Sequence, residues 1–344
     1  MYNLSNQRTS GRKRTVIITG GSGSVGQSFI SRYQHEYNFV NLSRNETCIH
    51  ALKRRFPNVV SYVADVQDLD KLTRLFLQVK PDIVIHAAAL KHVNFAELNP
   101  SQTVEVNIIG SLNVAKASIR AEVPVVVGVS TDKACRPENM YGYSKKILEQ
   151  TFLEHYSQST RFICTRFANV ACSNGSVIPS WIDSARAGER LKLTDSRMNR
   201  LMFTSGEAAT LLRKGIEYAD RSTRGFVICK IMKSVGMLDL ATQISEDFGS
   251  GQKPEIVGIR PGERLNETLV SDGELNVANI TSDQKYITLH SDEFGNGRLD
   301  QALSSLSAEY MSEMEMRNLY ASYRQPVLSA VPNHRMAVES ALAL

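Results

Sequence analysis

The sequence has few cysteines and no apolar run long enough to engage a membrane. Cys48, Cys135, Cys164, Cys172 and Cys229 are odd in number, widely spread and nowhere at C-x-x-C spacing; Cys48 with His50 is the only close Cys/His pair. That argues against a disulfide framework and a zinc site, and it fits a reducing compartment. No segment approaches the ~18 apolar residues that a bilayer span requires. Residues 1–14 are polar and lack the apolar core of a signal peptide, so they read as a disordered lead-in. A cytoplasmic chain with no membrane partner is expected. Strong charge of one sign is also missing. The net charge is +5, and the clusters Arg12-Lys13-Arg14 and Lys53-Arg54-Arg55 are short and free of interleaved aromatics. They read as solvated faces, so no nucleic-acid partner is expected. There is no low-complexity block and no internal repeat.

What remains is an ordinary globular composition, 42% hydrophobic and 22% charged over 344 residues, enough for one large domain or two modest ones. Short apolar runs alternate with amphipathic ones through the first half. Strands are predicted at 15–19, 39–43, 59–64, 83–87, 125–130 and 161–166. Helices are predicted at 26–35, 69–79, 100–120 and 144–155. Such alternation implies right-handed crossovers and a parallel sheet covered on both faces. Beyond Asn169 the pattern loosens. Helices at 204–219 and 238–248 and strands at 225–231 and 255–262 are expected, with weak helical signal over 299–320.

The predicted fold is therefore α/β: a doubly wound parallel sheet of Rossmann type with a smaller α/β substrate-binding domain. The boundaries read as 15–170 with 203–231 for the sheet domain, 171–202 with 232–290 for the smaller domain, and 291–344 as an extension of unknown role.

Gly20, Ser22, Gly23, Ser24, Val25 and Gly26 join the first strand to the first helix. Glycines here let backbone N–H groups approach a pyrophosphate at the helix N-terminus. At the end of the second strand, Ser43-Arg44-Asn45 stands where an acid would hold a ribose 2′-hydroxyl. Arg44 could instead clamp a 2′-phosphate, so NADP is favoured over NAD. Asp65-Val66 could meet adenine's amino group; the alternative is that Asp65 caps the helix at Leu69. Ala87, Ala88 and Ala89 supply small side chains where the middle of the cofactor passes.

Ser130-Thr131-Asp132-Lys133 closes the apolar run at 125–129, and Tyr141 with Lys145 follows in Tyr-x-x-x-Lys spacing. Such a pair removes a proton from an alcohol so that hydride can leave. The extra acid and base, Asp132 and Lys133, point to chemistry beyond oxidation. The alternatives are that Thr131 and Asp132 cap a turn and that Lys133 is merely solvated. Ser130 reads as backbone filling.

In these motifs the sequence resembles the extended short-chain dehydrogenase/reductases: the glycine turn, Ala87–Ala89, Asn107, and Tyr141 with Lys145. The runs 86–93, 130–134, 166–170, 194–198 and 258–263 narrow the resemblance to the UDP-N-acetylglucosamine 4,6-dehydratase branch, which includes C5-inverting enzymes. The match covers roughly 15–290. The resemblance implies bound NADP, recycled in each turnover, and Asn107 and Lys91 among the residues around it. It implies UDP-N-acetylglucosamine as substrate and a homo-oligomer, dimer or hexamer. Tyr141 takes the 4-hydroxyl proton, helped by Lys145 lowering its pKa; Lys133 takes the C5 proton; Asp132 protonates the departing 6-hydroxyl. Lys133 must be neutral for this, which burial beside another cation would favour. Thr131 would bind the sugar 4-oxygen.

At the nucleotide end the resemblance places Arg260 on the diphosphate, Glu263 on a ribose hydroxyl, and Asn169, Val177, Thr194 and Lys91 on the substrate. Arg200 would help on the phosphates or pair with Asp195. Arg260 and Glu263 could instead form surface ion pairs. Related 2-epimerases share Thr-Asp-Lys but tend to replace the tyrosine, and glucose-type dehydratases carry Asp-Glu. Leu201-Met202-Phe203 and Asn266 depart from the branch pattern. The other readings are a UDP-sugar 4-epimerase, which needs Tyr141 but neither Asp132 nor Lys133, and a non-catalytic NADP-binding module.

Overall fold

A computed structural model describes residues 11–157, 159–260 and 262–324. Most of the expected lead-in (1–10), the tail 325–344 and Pro261 lie outside the described residues. Among the described residues ten strands form the main sheet. They are β1 Arg14–Thr19, β2 Tyr37–Ser43, β3 Val60–Val63, β4 Ile83–His86, β5 Val125–Thr131, β6 Arg161–Phe167, β7 Phe226–Lys230, β8 Ala278–Thr281, β9 Tyr286–Leu289 and β10 Gly295–Arg298. Their spatial order is β10-β8-β9-β7-β6-β5-β4-β1-β2-β3. From β3 through β7 every pairing is parallel, and the order 3-2-1-4-5-6-7 reverses beside β1. That is the doubly wound arrangement, whose ligand crevice lies outside the carboxyl ends of the strands at the reversal. The predicted parallel sheet is observed. The antiparallel edge β7-β9-β8-β10 was not foreseen.

Central strands read as continuous apolar runs because both sheet faces are covered. Val16, Ile17, Ile18, Val84, Ile85, Val125 and Val126 are all inaccessible to solvent. Gly128 on β5 has a different cause. A Cβ there would sit 2.8 Å from the Phe152 ring and 2.9 Å from Leu148. The helix Met140–Glu154 thus lies directly on β5, which sets Tyr141 and Lys145 beside the end of that strand.

Several predicted bounds shift. The expected helix 100–120 is three consecutive segments: Pro100–Thr103, a π-helical stretch Val104–Ile109, and Gly110–Arg120. Helices Glu46–Arg55 and Val93–Leu98 escaped the sequence reading. The first buries only Leu52, so it shows almost no apolar periodicity. The strand expected at 255–262 shrinks to Glu255–Ile256 paired with Lys192–Leu193. Ile256, Val257 and Ile259 stay exposed, which explains why the apolar signal overstated it. Over 299–320 only Glu313–Leu319 is α-helical, and Leu303–Ser304 is a strand paired with Thr268–Val270.

A second apolar cluster joins the helices Val177–Arg186 and Met237–Phe248 through Trp181, Ile182, Leu240 and Ile244. Met316, Leu319 and Tyr320 belong to it. The chain after residue 290 therefore contributes both an edge strand of the main sheet and part of this second core. Among the described residues no helix is long and apolar enough to cross a membrane.

Candidate active site

Three cavities meet at Asn169, which lines each of them. The largest, about 930 Å³, runs along the carboxyl ends of the strands. Gly20, Ser22, Gly23, Ser24, Val25, Gly26, Ser43, Arg44, Asp65, Val66, Ala87, Ala88, Ala89, Lys91, Tyr141 and Lys145 all line it. Gly20 has φ +71°, and a Cβ there would lie 2.9 Å from the Ala88 nitrogen. The two loops approach so closely that only glycine fits. The helix Ser24–Tyr33 starts at Gly23 with no side chain capping its first N–H groups, which leaves those donors facing the cavity.

Arg44 Nη1 lies 3.3 Å from Asp65 Oδ2, with the guanidinium more than half exposed. Asp65 Oδ1 accepts from Gln67 N, while Asp68 caps the helix at Leu69 by accepting from Lys71 N. The cap alternative for Asp65 is thus overturned. Lys91 Nζ donates to the Asn174 carbonyl at 2.6 Å, and Asn174 N donates to Ser24 Oγ at 2.9 Å, bridging the two sides of the cavity. Asn107 does not line the cavity; it lies buried behind it. Its amide accepts from Leu90 N at 2.8 Å and donates to Leu90 O and Ser144 Oγ, both at 3.0 Å. The π-helical stretch presents Asn107 there and ties the β4 loop to the helix carrying Tyr141.

The second cavity, about 410 Å³, is walled by Asp132, Lys133, Asn169, Arg200, Glu263 and Glu267, among others. Thr131, Tyr141 and Lys145 face the first cavity, and Lys133 faces both. Thr131 Oγ1 donates to Asp132 Oδ1 at 2.8 Å. Asp132 is 2% exposed, makes no helix-cap bond, and its Oδ2 is buried without a partner. The turn-cap alternative fails. An unpartnered buried carboxyl oxygen is costly, which is how a group awaiting a ligand stands out. Burial and the nearby charge of Glu267 raise the Asp132 pKa far above the ordinary carboxylate range.

Lys133 departs from expectation. Its Nζ donates to Glu267 Oε1 at 2.7 Å and to Asp132 Oδ1 at 3.2 Å. Burial pushes its pKa down, but the two carboxylates outweigh burial and hold it above the usual lysine value. Lys133 is an ammonium here, neither a neutral base nor a solvated lysine. Lys145 is the lowered amine, brought to about 8 by burial, with Nζ donating to Val129 O at 2.8 Å. Tyr141 is also unlike the expectation. Burial raises its phenol to about 12, with Lys133 rather than Lys145 opposing the rise.

The sequence reading missed Glu267. Its Oε2 accepts from Asn169 Nδ2 at 2.5 Å, and Arg200 Nε lies 3.5 Å from Oε1. Lys133 and Glu267 are 134 positions apart, and no local pattern links them. The only hint was an acid four residues after Glu263, in a motif otherwise read residue by residue.

The third cavity, about 270 Å³, is lined by Asn169, Val177, Thr194, Arg200, Arg260 and Glu263, among others. Arg200 does not pair with Asp195, which is held by Arg197 at 2.7 and 3.0 Å. Its guanidinium donates instead to the carbonyls of Asn199, Arg264 and Leu265. Glu263 accepts from Arg260 N at 3.2 Å rather than from its guanidinium, so the two form a turn and not an ion pair. Asn266 accepts from Asn199 Nδ2 and so braces the loop. Ser130 is more than filling: its Oγ donates to buried Glu149 at 2.7 Å.

This geometry can be set beside known proteins. Residues 16–290 match the family described as polysaccharide biosynthesis protein. The chain belongs to that family. A relative named UDP-N-acetylglucosamine 4,6-dehydratase (inverting), from Campylobacter jejuni, is 32% identical over 272 residues, 76% of this chain and 79% of its own. A UDP-glucose 4-epimerase of Rickettsia canadensis is 31% identical over 283 residues, 78% of this chain and 81% of its own. EpsC of Bacillus subtilis, a probable polysaccharide biosynthesis protein, is 34% identical over 281 residues, 78% of this chain, but the chain spans only 46% of its length. Among solved structures, Pen from Bacillus thuringiensis superposes with a TM-score of 0.82 at 28% identity, over 90% of this chain and 98% of that one. The matched family region contains every site residue named above; the described chain continues past it to residue 324.

Proposed function

We propose that this family member is an NADP-dependent UDP-N-acetylglucosamine 4,6-dehydratase that inverts C5 and yields a UDP-2-acetamido-2,6-dideoxy-4-keto-hexose. One observation carries the reading: a protonatable Asp132, its Oδ2 buried without a hydrogen-bond partner, stands beside Lys133, which also faces the cavity that Tyr141 lines. Oxidation at C4 alone requires neither Asp132 nor Lys133.

The large cavity suits a dinucleotide through the close Gly20–Ala88 approach and the uncapped helix start at Gly23. Gly20 to Gly26 would hold the pyrophosphate, Asp65 and Val66 the adenine, and Ala87 to Ala89 the central stretch. When bound, the cofactor accepts hydride from C4, returns it to C6, and places a positive charge near Tyr141. Tyr141 takes the 4-hydroxyl proton, oriented by Thr131. The 4-ketone then acidifies the C5–H. Lys133 must first lose its ammonium proton to solvent, after which its free amine takes the proton from C5. As the C6–O bond breaks, Asp132 gives its proton to the departing hydroxyl, which leaves as water. C5 is finally reprotonated. Each such acid or base step is worth about 10²–10⁴-fold. Arg260, Glu263, Val177, Thr194, Arg200 and Asn169 would seat the UDP and the sugar-diphosphate.

The test is proton NMR of UDP-N-acetylglucosamine with the purified protein in D₂O. A new C6 methyl with deuterium at C5 is the expected product, and ring couplings report inversion. A second reading, a 4-epimerase, is favoured by relatives of that name such as the Rickettsia canadensis protein. It would leave the 6-CH₂OH unchanged and move only the C4 configuration; no change with any UDP-sugar would leave the binding-module reading.

The cofactor preference has its own test. Arg44 has one carboxylate contact and is otherwise open to a 2′-phosphate. Arg44→Ala should weaken NADP binding by about 10–100-fold, the worth of a charge-assisted hydrogen bond, and leave NAD binding nearly unchanged. Equal losses for both, measured by calorimetry, would remove Arg44 from the 2′-phosphate.

A further inference from the structure

Glu267 is a buried charged group of the candidate site with no role in the chemistry above. It is 6% exposed, and every oxygen of its carboxylate is committed. Oε1 accepts from Lys133 Nζ at 2.7 Å and faces Arg200 at 3.5 Å, and Oε2 accepts from Asn169 Nδ2. The backbone is held as firmly. Glu267 N donates to Ser305 Oγ at 3.0 Å, and Ser305 N returns a bond to Glu267 O at 2.8 Å. Ser305 is fully buried, and its carbonyl accepts from Ser234 Oγ at 2.6 Å. It lies past residue 290, where the family match ends.

We propose that Glu267 is a positioning residue for the acid–base pair: it clamps the Lys133 ammonium beside Asp132 and holds a negative charge near the Asp132 carboxyl, so that Asp132 meets the sugar as an acid. Ser305 extends that support beyond the family's shared segment. The catalytic consequence rests on the dehydratase reading; the electrostatic claim does not.

The charged and titratable groups around this cluster are few. Asp132 is faced by Lys133, Tyr141 and Glu267, and Glu267 by Lys133 and Arg200. Burial would raise Glu267's pKa, but Lys133 and Arg200 outweigh it and hold the group anionic. The sign follows. A fixed anion beside Asp132 opposes its ionisation, so removing that anion lets Asp132 lose its proton at lower pH.

Infrared difference spectroscopy on the full chain can titrate the protonated Asp132 carboxyl, identified by its loss in Asp132→Asn. In Glu267→Gln the titration midpoint should fall by about one unit or more. With substrate, formation of the C6 methyl should drop about 100-fold, and its loss should begin at lower pH than in the native chain. C4 oxidation, read as reduced-cofactor absorbance, should drop less than about tenfold. An unmoved Asp132 midpoint, or equal losses in both half-reactions, would overturn the proposal.

Glu267→Asp keeps the charge but shortens its reach to Lys133, and it serves if the Gln variant does not fold. Its Asp132 midpoint should stay near the native one while dehydration slows at least about tenfold. Native-rate dehydration in that variant would also overturn the proposal. If the unaltered chain makes no C6-methyl product, the dehydratase reading fails, and the substrate-free titration still decides the role of Glu267.

Discussion

Lys133→Met should lower formation of the C6-methyl product by about 10²–10⁴-fold and slow oxidation at C4 less, through loss of the charge that opposes the rise of the Tyr141 phenol. The two steps use different groups. Tyr141 and Lys145 face the large cavity together, while Lys133 reaches past Asp132 to Glu267. Methionine keeps the length of the side chain and removes its proton chemistry. Reduced cofactor and the 4-keto sugar should therefore accumulate in a single turnover, seen as persistent absorbance without a methyl signal. Methyl formation at the native rate would place the C5 base elsewhere.

The same geometry predicts a bell-shaped pH dependence for the dehydration step. Two carboxylates raise the Lys133 pKa, so loss of its proton becomes easier as pH rises. Asp132, itself raised, must keep its proton, and that becomes harder as pH rises. The two limbs belong to the Asp132–Lys133–Glu267 set as a whole, not to single residues.

The largest stability effect is expected at Arg166. This side chain is 1% exposed and sits among two acids. Its Nε and Nη2 donate to Glu149 at 2.9 and 2.8 Å, and Nη1 and Nη2 donate to Glu274 at 3.0 and 2.9 Å. Nη1 also donates to Leu269 O. Arg166→Met leaves Glu149, which has no solvent exposure, without its guanidinium. Breaking a buried pair from one side costs about 3–5 kcal/mol, a large share of the roughly 5–15 kcal/mol that holds a domain together. Urea unfolding at neutral pH should show that loss. Replacing Arg166, Glu149 and Glu274 together with apolar residues should cost less than Arg166→Met alone, since no charge is left stranded. A loss below about 1 kcal/mol in the single variant would show that water reaches the acids.

The same network gives an acid sensitivity with a definite sign. Burial pushes Glu274 up, but hydrogen bonds and charge from Arg166 prevail and leave it at about 2. A depressed carboxyl stabilises the fold above its unfolded pKa, about 4.3, and that contribution fades as pH falls toward 2. The network also reaches the candidate site. Ser130, next to Thr131, donates to the Glu149 oxygen that Arg166 Nε holds.

The sequence by itself determined the parallel core, and it pointed to the proposed acid–base residues at the end of β5 and the start of the following helix. Period and composition are local properties: the Val125–Thr131 run, the Gly20 turn and the four-residue spacing of Tyr141 and Lys145 each lie within one stretch of chain. Only the tertiary structure decided what surrounds those groups. Burial and long-range contact set their protonation, and neither is written in spacing. Expected beside a cation, Lys133 instead lies between Asp132 and a carboxylate 134 residues away, which reverses the direction of its pKa shift. Arg200 turned from Asp195 to backbone carbonyls because the Asn266 loop folds over it. The weakly patterned chain past residue 290 supplies Ser305 behind Glu267 and Tyr320 in the second core. Such segments carry little periodicity because they pack at edges and junctions, where no single face is repeatedly buried.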